Sequence, residues 1–450
     1  MKRDTLPFLT RVLGAGLLGL LLSGPASAAP MPHRAPDQTV GTVNCANSTC
    51  HGSMDPWEGN VLRNEYTTWS RLDRHTRAYA VLRNDTSRRI MRDLGLKQEA
   101  TEAAICLDCH AHNPAPGLRG ERFDITEGIG CEGCHGPAGR WVGPHSGKDT
   151  PHADNLARGL YPTSDPVAQA KLCLSCHFGD ETRSVNHQVM GAGHPRIAFD
   201  LATFTSLQPA HFRVDEDYVR RKGNYDGVRL WAVGQVLAAR QLLDTLADPV
   251  RGRDGMFPEL TLFDCHSCHH PMSARRWKAR MGLNSGRMRL NDSNLLMARA
   301  VVRVVDPQGF ETFDAQVRAT HAAVSTGRSA AGGDPLDEVR ALSQSLGAYL
   351  PRVAGRGYDA GAQRALLLAL VDEVLAGDYG DYAGAEQAYT GITGVANDLI
   401  ARGALTASPA IRQIMRELLQ GLANDETYDA PAFARGIGQL RAAIAQQVKS

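Results

Sequence analysis

Apolar positions follow two regimes along the chain. From about residue 286 onward they recur at helical spacing: Ile411, Ile414, Met415, Leu418 and Leu419 stand at i, i+3, i+4, i+7 and i+8, and Leu366, Leu370 and Val374 form a second stripe. Start and stop signals agree with that period. Ser408-Pro409 opens the first stripe, Asp292 or Ser293 can cap a helix running to about Val305, and Asp306-Pro307 ends it. These stripes read as the core of a helical bundle, because nothing coordinating accompanies them. Before residue 285, Gly and Pro turns cut the pattern into short helical stretches. The exception is a long helix predicted over Gly227 to Ala247, where Val228, Trp231, Val233, Val236, Leu237, Leu242 and Leu243 fall near one face. The chain is therefore expected to be mainly α.

The N-terminal pattern is of another kind. Lys2, Arg3 and Arg11 precede an apolar run from Val12 to Leu22, and the small residues Ala26 and Ala28 close it, which is the signature of a secretory signal cut after Ala28. The run falls short of the roughly 20 residues a spanning helix needs. An uncleaved anchor is the alternative; otherwise residues 1–28 are a signal peptide and the mature chain is periplasmic or otherwise exported, with no integral membrane segment. Lys+Arg 49 against Asp+Glu 48 gives a net charge of +1, so no global basic field favours nucleic acid. A content of 43% hydrophobic residues in 450 excludes disorder and a single small stapled module. There is no phosphate-binding loop and no Gly-rich opening of a helix.

The cysteines carry the chemistry. They pair as Cys45/Cys50, Cys106/Cys109, Cys131/Cys134, Cys173/Cys176 and Cys265/Cys268, and His51, His110, His135, His177 and His269 follow the second cysteine of each pair. With 16 histidines in the chain, five such coincidences would arise about once in ten million trials, so the pattern is a motif, that of c-type haem attachment. Two sulfurs must reach two vinyl groups of one porphyrin, and the next side chain must swing beneath the ring to bind the iron. The first motif has four residues between its cysteines, so two extra residues must loop out. Zinc ribbons, disulfides and a thioredoxin-like pair compete weakly, since none requires a histidine after every pair. Five covalently attached haem c groups are expected.

Eleven further histidines could supply distal ligands: His33, His75, His112, His145, His152, His187, His194, His211, His266, His270 and His321. Met190 and Met272 lie near haem motifs, but methionine more often fills core. Two histidine ligands make a low-spin iron closed to substrate, which suits electron transfer, whereas an open position permits catalysis.

The order of the motifs resembles a known family. A haem site precedes Trp69-Ser-Arg-Leu-Asp-Arg-His75, then a C-x-x-C-H, then Gly128-Ile-Gly-Cys-Glu-Gly-Cys-His-Gly-Pro137 with His145 after it, then another C-x-x-C-H. This is similar to the cytochrome c-554 family and its relatives in the hydroxylamine oxidoreductase group, over roughly residues 40 to 290. Two later segments, Val185 to Arg196 around His187 and His194, and Asp264 to Met272, resemble larger exported multihaem members. The resemblance implies that His145 is the distal partner of the iron on His51, that His75 is a distal ligand to an unspecified haem, and that His194, with His187 close before it, is a third. It also implies that the iron on His110 lacks a distal side chain. A fifth site and a long C-terminal extension depart from the four-haem pattern.

The remaining histidines have plainer readings. His270 can serve a neighbouring haem, because adjacent residues point in different directions. His112 and His266 flank motifs and can bond propionates or water, His33 lies in a solvated lead-in, His152 and His211 are open, and His321 is a surface or satisfied core residue. Arginines crowd residues 71–92 and 275–289, where they can neutralise ten haem propionates or dock an acidic partner.

The expected organisation is a signal peptide over 1–28, a pentahaem cytochrome c domain of short helices and loops over 29–285, and an α-helical domain over 286–450. The expected function is electron transfer between redox partner proteins. The alternative is an oxidoreductase acting on a small nitrogen or sulfur compound at one open haem. No C-x-x-C-K variant is present, so a lysine-ligated catalytic haem is not expected. The C-terminal part can additionally dock or oligomerise.

Overall fold

In a computed structural model, residues 29–59, 61–147, 149–269, 287–329 and 332–448 are described. The signal peptide, His270, Met272 and the arginines at 275, 276 and 280 lie outside the described residues. The described chain is mainly α, with one two-stranded antiparallel hairpin that pairs Arg253–Asp254 with Phe257–Pro258.

The helix Gly227–Ala247 is the axis around which the rest is arranged. Asp226 caps it by accepting the Arg229 N–H. Its Val233, Val236 and Leu243 are fully buried, each stabilising the fold by about 1.5–3 kcal/mol. It packs on Leu336–Gly355, Ser293–Val305 and Pro166–His177. Against its other side the helix Tyr382–Ala401 comes so close that a Cβ at Gly391 would lie 2.7 Å from the Trp231 ring, so only glycine fits there.

The remaining helices follow the predicted signals. Ser408 caps Pro409–Gly421 through the Ile411 N–H. Leu366, Leu370 and Val374 are buried on Ala360–Ala376, and Ile411 and Leu418 are buried on theirs. Leu419 is exposed, because the stripe on that helix is narrower than its period suggests. Asp292 precedes Ser293–Val305 but does not cap it. Its carboxylate instead meets the fully buried His321 ring at 2.5 Å, while His321 Nδ1 donates to the Val317 carbonyl.

One apolar core runs from Ala170 to Ile444. It includes Ala170 and Leu174 on the helix that ends in His177, so the bundle directly buttresses the fourth cysteine motif. A second, smaller core around Tyr79, Leu82, Met91 and Leu107 underlies the second motif. The segment before the fifth motif is tied to the bundle by the Phe263–Leu290 bridge. Arg289, with no exposure, completes the tie by pairing with Asp381 at 2.6 Å and Asp264 at 3.9 Å. This arginine thus neutralises protein carboxylates, a use that the crowding of basic residues does not suggest.

Candidate haem sites

Three of the five motifs close a helix with their histidine as its last residue: Ala104–His110, Cys131–His135 and Pro166–His177. Positions i, i+3 and i+4 share one helical face, so both sulfurs and the imidazole emerge on the same side. The first motif is a turn after the 3₁₀ segment Thr42–Cys45, and the fifth begins with the 3₁₀ turn Cys265–Ser267. None of the ten cysteines forms a disulfide.

Opposite each motif histidine stands a second histidine. The ring centroids are 6.2 Å apart for His51 and His145, 6.1 Å for His177 and His75, 6.3 Å for His110 and His194, 6.3 Å for His135 and His211, and 6.2 Å for His269 and His187. Two imidazoles trans on one metal, with bonds of about 2.0–2.1 Å and ring nitrogens about 1.1 Å from the ring centre, put their centroids about 6.3 Å apart. Five pairs share that spacing, although their interplanar angles range from 11° to 87°. Stacking or packing would not fix distance while leaving angle free. A bare zinc ion needs four protein ligands, and among the described residues no group of three or more His, Cys, Asp or Glu is placed to hold one. Residues that offer two axial imidazoles and two adjacent thiols fit covalent haem.

Local structure explains how the second histidines are aimed. His75 lies in the turn Arg74–Arg77, where Asp73 accepts both its backbone N–H and its Nδ1–H. The segment before the third motif is laid against this turn. Ile129 N–H donates to the His75 carbonyl, Trp69 Nε1–H to the Ile129 carbonyl, and Gly128, at φ +73°, leaves room where a Cβ would strike the His75 oxygen. His145 follows Trp141, whose ring meets it edge-on at 5.2 Å. His187 opens the helix His187–Gly191 and His194 leaves it. Glu132, inside the third motif and 2% exposed, accepts the backbone N–H groups of Val40, Gly41 and Ala138 at 2.7–2.9 Å and so fastens the lead-in to that motif.

Burial lowers the motif imidazoles of His110, His135 and His177 toward the neutral form in which an imidazole binds a metal, whereas at His51 the bond to Glu65 outweighs burial and raises the ring. Burial, and then the charge of His211, push His135 down to about 4; burial and then His75 do the same to His177. His75 moves up because its bond to Asp73 outweighs burial. Burial acts to raise the Asp73 carboxyl, but the bonds from His75 and Gln208 outweigh it and hold the group at about 2. A cleft of ≈ 340 Å³ beside Cys109, lined in part by Ala104, Ile105, Asp108, Arg183 and Asn186, provides space at the second motif.

The sequence reading and the geometry differ at several histidines, and the cysteines are not buried alike. Cys50 departs from the arrangement of the helical motifs: it is exposed, and its sulfur lies 4.0 Å from the Thr49 hydroxyl, whereas its motif partner Cys45 is half-buried beside Cys131. The physical reason is the longer spacing. Four intervening residues take Cys50 off the shared helical face, and the chain instead folds into a turn in which the Asn47 carbonyl accepts the N–H groups of Cys50 at 2.8 Å and Gly52 at 2.9 Å. Cys50 as a thioether position therefore rests on the motif spacing and on His51 next to it, not on burial. Cys265 and Cys268 in the fifth motif are exposed as well.

Among the histidines, His194 faces His110, the ring that the resemblance leaves unpartnered. His211, open in the sequence, stands opposite His135; it lies in a loop after Leu201–Leu207 with no motif spacing to mark it. His33 is not solvated but pairs with Asp180 at 3.2 Å. His112 is buried, bonds the Thr39 hydroxyl at 3.3 Å, and is pushed down to about 4 by burial. His266 approaches Asp425 at 3.8 Å, and His152 is exposed.

The motifs also neighbour one another. Cys45 lies beside Cys131 and Cys109 beside Cys176, and Cys134 is close to Cys173 and Cys176. Residues 39–136 match the family of cytochrome c554 and c-prime. No curated protein and no solved structure matches the chain.

Proposed function

We propose that the chain, whose residues 39–136 match the cytochrome c554 and c-prime family of c-type cytochromes, is an exported electron carrier with five bis-histidine haems. The observation that carries this reading is the set of five histidine pairs at 6.1–6.3 Å. The iron of each haem, cycling between ferric and ferrous, supplies one electron step. The chain's own residues attach the rings through the ten cysteines and hold the axial nitrogens of His51 and His145, His110 and His194, His135 and His211, His177 and His75, and His269 and His187.

The contacts between motifs support one route. Cys45 with Cys131 joins the His51 site to the His135 site, Cys134 with Cys173 joins that to the His177 site, and Cys176 with Cys109 joins that to the His110 site. His194 and His187, seven residues apart across one short helix, bring the His269 site beside the His110 site. The sites at His51 and His269 are then the ends where redox partners dock, and they are also the sites whose cysteines Cys50, Cys265 and Cys268 are exposed. No described helix is long and apolar enough to cross a membrane. The helices after residue 286 are proposed as the support of this array, since the His177 helix rests on their core.

His194 opposite His110 speaks against the alternative of an enzyme with an open iron there. Electron paramagnetic resonance of the ferric protein, matured in a host that attaches haem c, is expected to show low-spin signals only. A substantial high-spin signal that shifts on adding hydroxylamine or nitrite would overturn the carrier reading. Replacing Cys265 and Cys268 by alanine is expected to lower the haem count by mass from five to four, and an unchanged count would remove the fifth site. An N-terminus at Ala29 in the mature protein would support export.

A further inference from the structure

The five pairs are not backed alike. Beyond the nitrogen that faces its partner, each imidazole has a second nitrogen, and the group it meets sets how strongly the ring donates electrons to a metal. His110 Nδ1–H donates to the Ala78 carbonyl at 3.0 Å and His194 Nδ1–H to the Pro195 carbonyl at 2.8 Å, so that pair is backed by neutral main chain on both sides. His145 Nδ1–H likewise donates to the Val142 carbonyl at 2.6 Å. His51 Nδ1–H instead donates to Glu65 Oε2 at 3.0 Å, and His75 Nδ1–H to Asp73 Oδ1 at 2.8 Å.

Both carboxylates are held in place by further contacts. Glu65 opens the helix Glu65–Leu72, and its other oxygen accepts the Arg63 backbone N–H at 3.2 Å. The Asp73 side chain is 6% exposed. Its Oδ1 also accepts the His75 backbone N–H, and its Oδ2 takes Gln208 Nε2–H at 2.9 Å, a contact made across 135 residues.

We propose that Glu65 and Asp73 are the residues that lower the reduction potentials of two particular haems, those of the His51/His145 and His177/His75 pairs, relative to the His110/His194 haem. A carboxylate drawing on the Nδ1 proton gives the ring partial imidazolate character, and that extra electron density stabilises ferric iron over ferrous. Two carbonyl oxygens, as at His110 and His194, exert a weaker pull. The inference rests on the reading of the pairs as axial ligands. With the route argued above, an electron entering at the His51 end then runs toward the higher-potential His110 site.

The test is a redox titration of the haem-loaded protein followed by paramagnetic resonance, with the variants Glu65→Gln and Asp73→Asn. The His51/His145 signal is separable from those of the near-perpendicular pairs because its ring planes differ from theirs. At 11° the His51/His145 planes are nearly parallel, which splits the two iron dπ orbitals and gives a rhombic spectrum. At 85° and 74° the His75/His177 and His110/His194 planes keep those orbitals near degenerate and give strongly anisotropic spectra. Glu65→Gln is expected to shift the ferric/ferrous equilibrium of the rhombic haem about tenfold toward ferrous, a rise of about 59 mV for one electron. Asp73→Asn is expected to do the same for one strongly anisotropic haem. In both variants the haem count should stay the same and the His110/His194 potential should not move. Glu65→Asp, which keeps the charge, should retain the low potential even if Glu65→Gln is unstable. An unmoved potential with all signals intact would overturn the tuning role, as would an equal rise in every haem. Absence of the low-spin signals from the unmutated protein would instead overturn the ligand pairs themselves.

Discussion

Replacing His194 by alanine is expected to convert one iron from low to high spin while every haem stays attached. Attachment at that site rests on Cys106 and Cys109 and on His110, none of which touches the substituted side chain beyond the ring facing it at 6.3 Å. His194 sits half-exposed in the segment leaving the helix His187–Gly191, and its ring is held by one bond to the Pro195 carbonyl. Truncation therefore removes a ligand without emptying a packed core, and a cost well under that of a buried truncation is expected. The freed position should take up added imidazole, which restores the low-spin spectrum, and should bind cyanide or carbon monoxide where the unmutated protein does not. The variant would then have the open iron that the family resemblance places at His110. If its spectrum stays fully low-spin without added ligand, His194 is not the axial partner.

That site shows where sequence stops being readable. The five attachment motifs are local, because two thioethers and a ligand must come from five to seven consecutive residues, so they stand out whatever the fold. Their surroundings are less legible: nothing in the spacing of Cys45 and Cys50 says that the first is half-buried and the second exposed. A distal histidine has no local constraint at all. His145 and His75 are legible only through the segments around them, Gly128 to Pro137 and Trp69 to His75, and both serve motifs far away in sequence. His194 and His211 lie beyond residue 136, where the family match ends, and arrive at His110 and His135 through tertiary packing. His211 carries no local mark. Nor does the partner of a buried charge: Asp292 reads as a helix cap by position, yet its carboxylate turns to His321 because that ring is buried with it.

The helices were the more legible part for an equally physical reason. Gly227–Ala247 spans the predicted limits because a 21-residue apolar face and the Asp226 cap are both written locally. What the period does not reveal is the company it keeps. That helix precedes residue 285, among the haem motifs, but it buries its Val233 and Leu243 in the same core as the helices after residue 286. The helix Pro166–His177, which ends in the fourth motif, rests on it, so stability of the bundle and placement of that motif are mechanically linked.

The charges buried within that bundle give the largest stability effect to be expected. Arg299, 4% exposed on the helix Ser293–Val305, meets Asp314 at 2.6 Å, Glu373 at 2.9 Å and Asp378 at 2.6 Å, while Arg303 reaches the other oxygen of Glu373 at 2.7 Å. Arg299→Ala strands three carboxylates inside the core with too little positive charge, and breaking one side of such a network costs about 3–5 kcal/mol. The loss should depend on pH. Burial already holds the Glu373 carboxyl above its ordinary range, with Arg299 the strongest influence pulling it down. Without Arg299 its folded-state pKa rises further. A carboxyl whose folded pKa lies above its unfolded one costs no stability once protonated in both states, and the cost grows as pH rises through the unfolded and then the folded value. The deficit of Arg299→Ala should therefore be largest near pH 7 and shrink toward pH 5. Urea unfolding of the haem-loaded protein, followed by far-ultraviolet circular dichroism at both pH values, measures it. A deficit below about 1 kcal/mol at pH 7, the range of a solvent-exposed pair, would show that the network does not hold the bundle together. Because the helix Ser293–Val305 packs against Gly227–Ala247, on which the His177 helix rests, the same unfolding should disturb the low-spin signal of the His177/His75 pair before that of His51/His145.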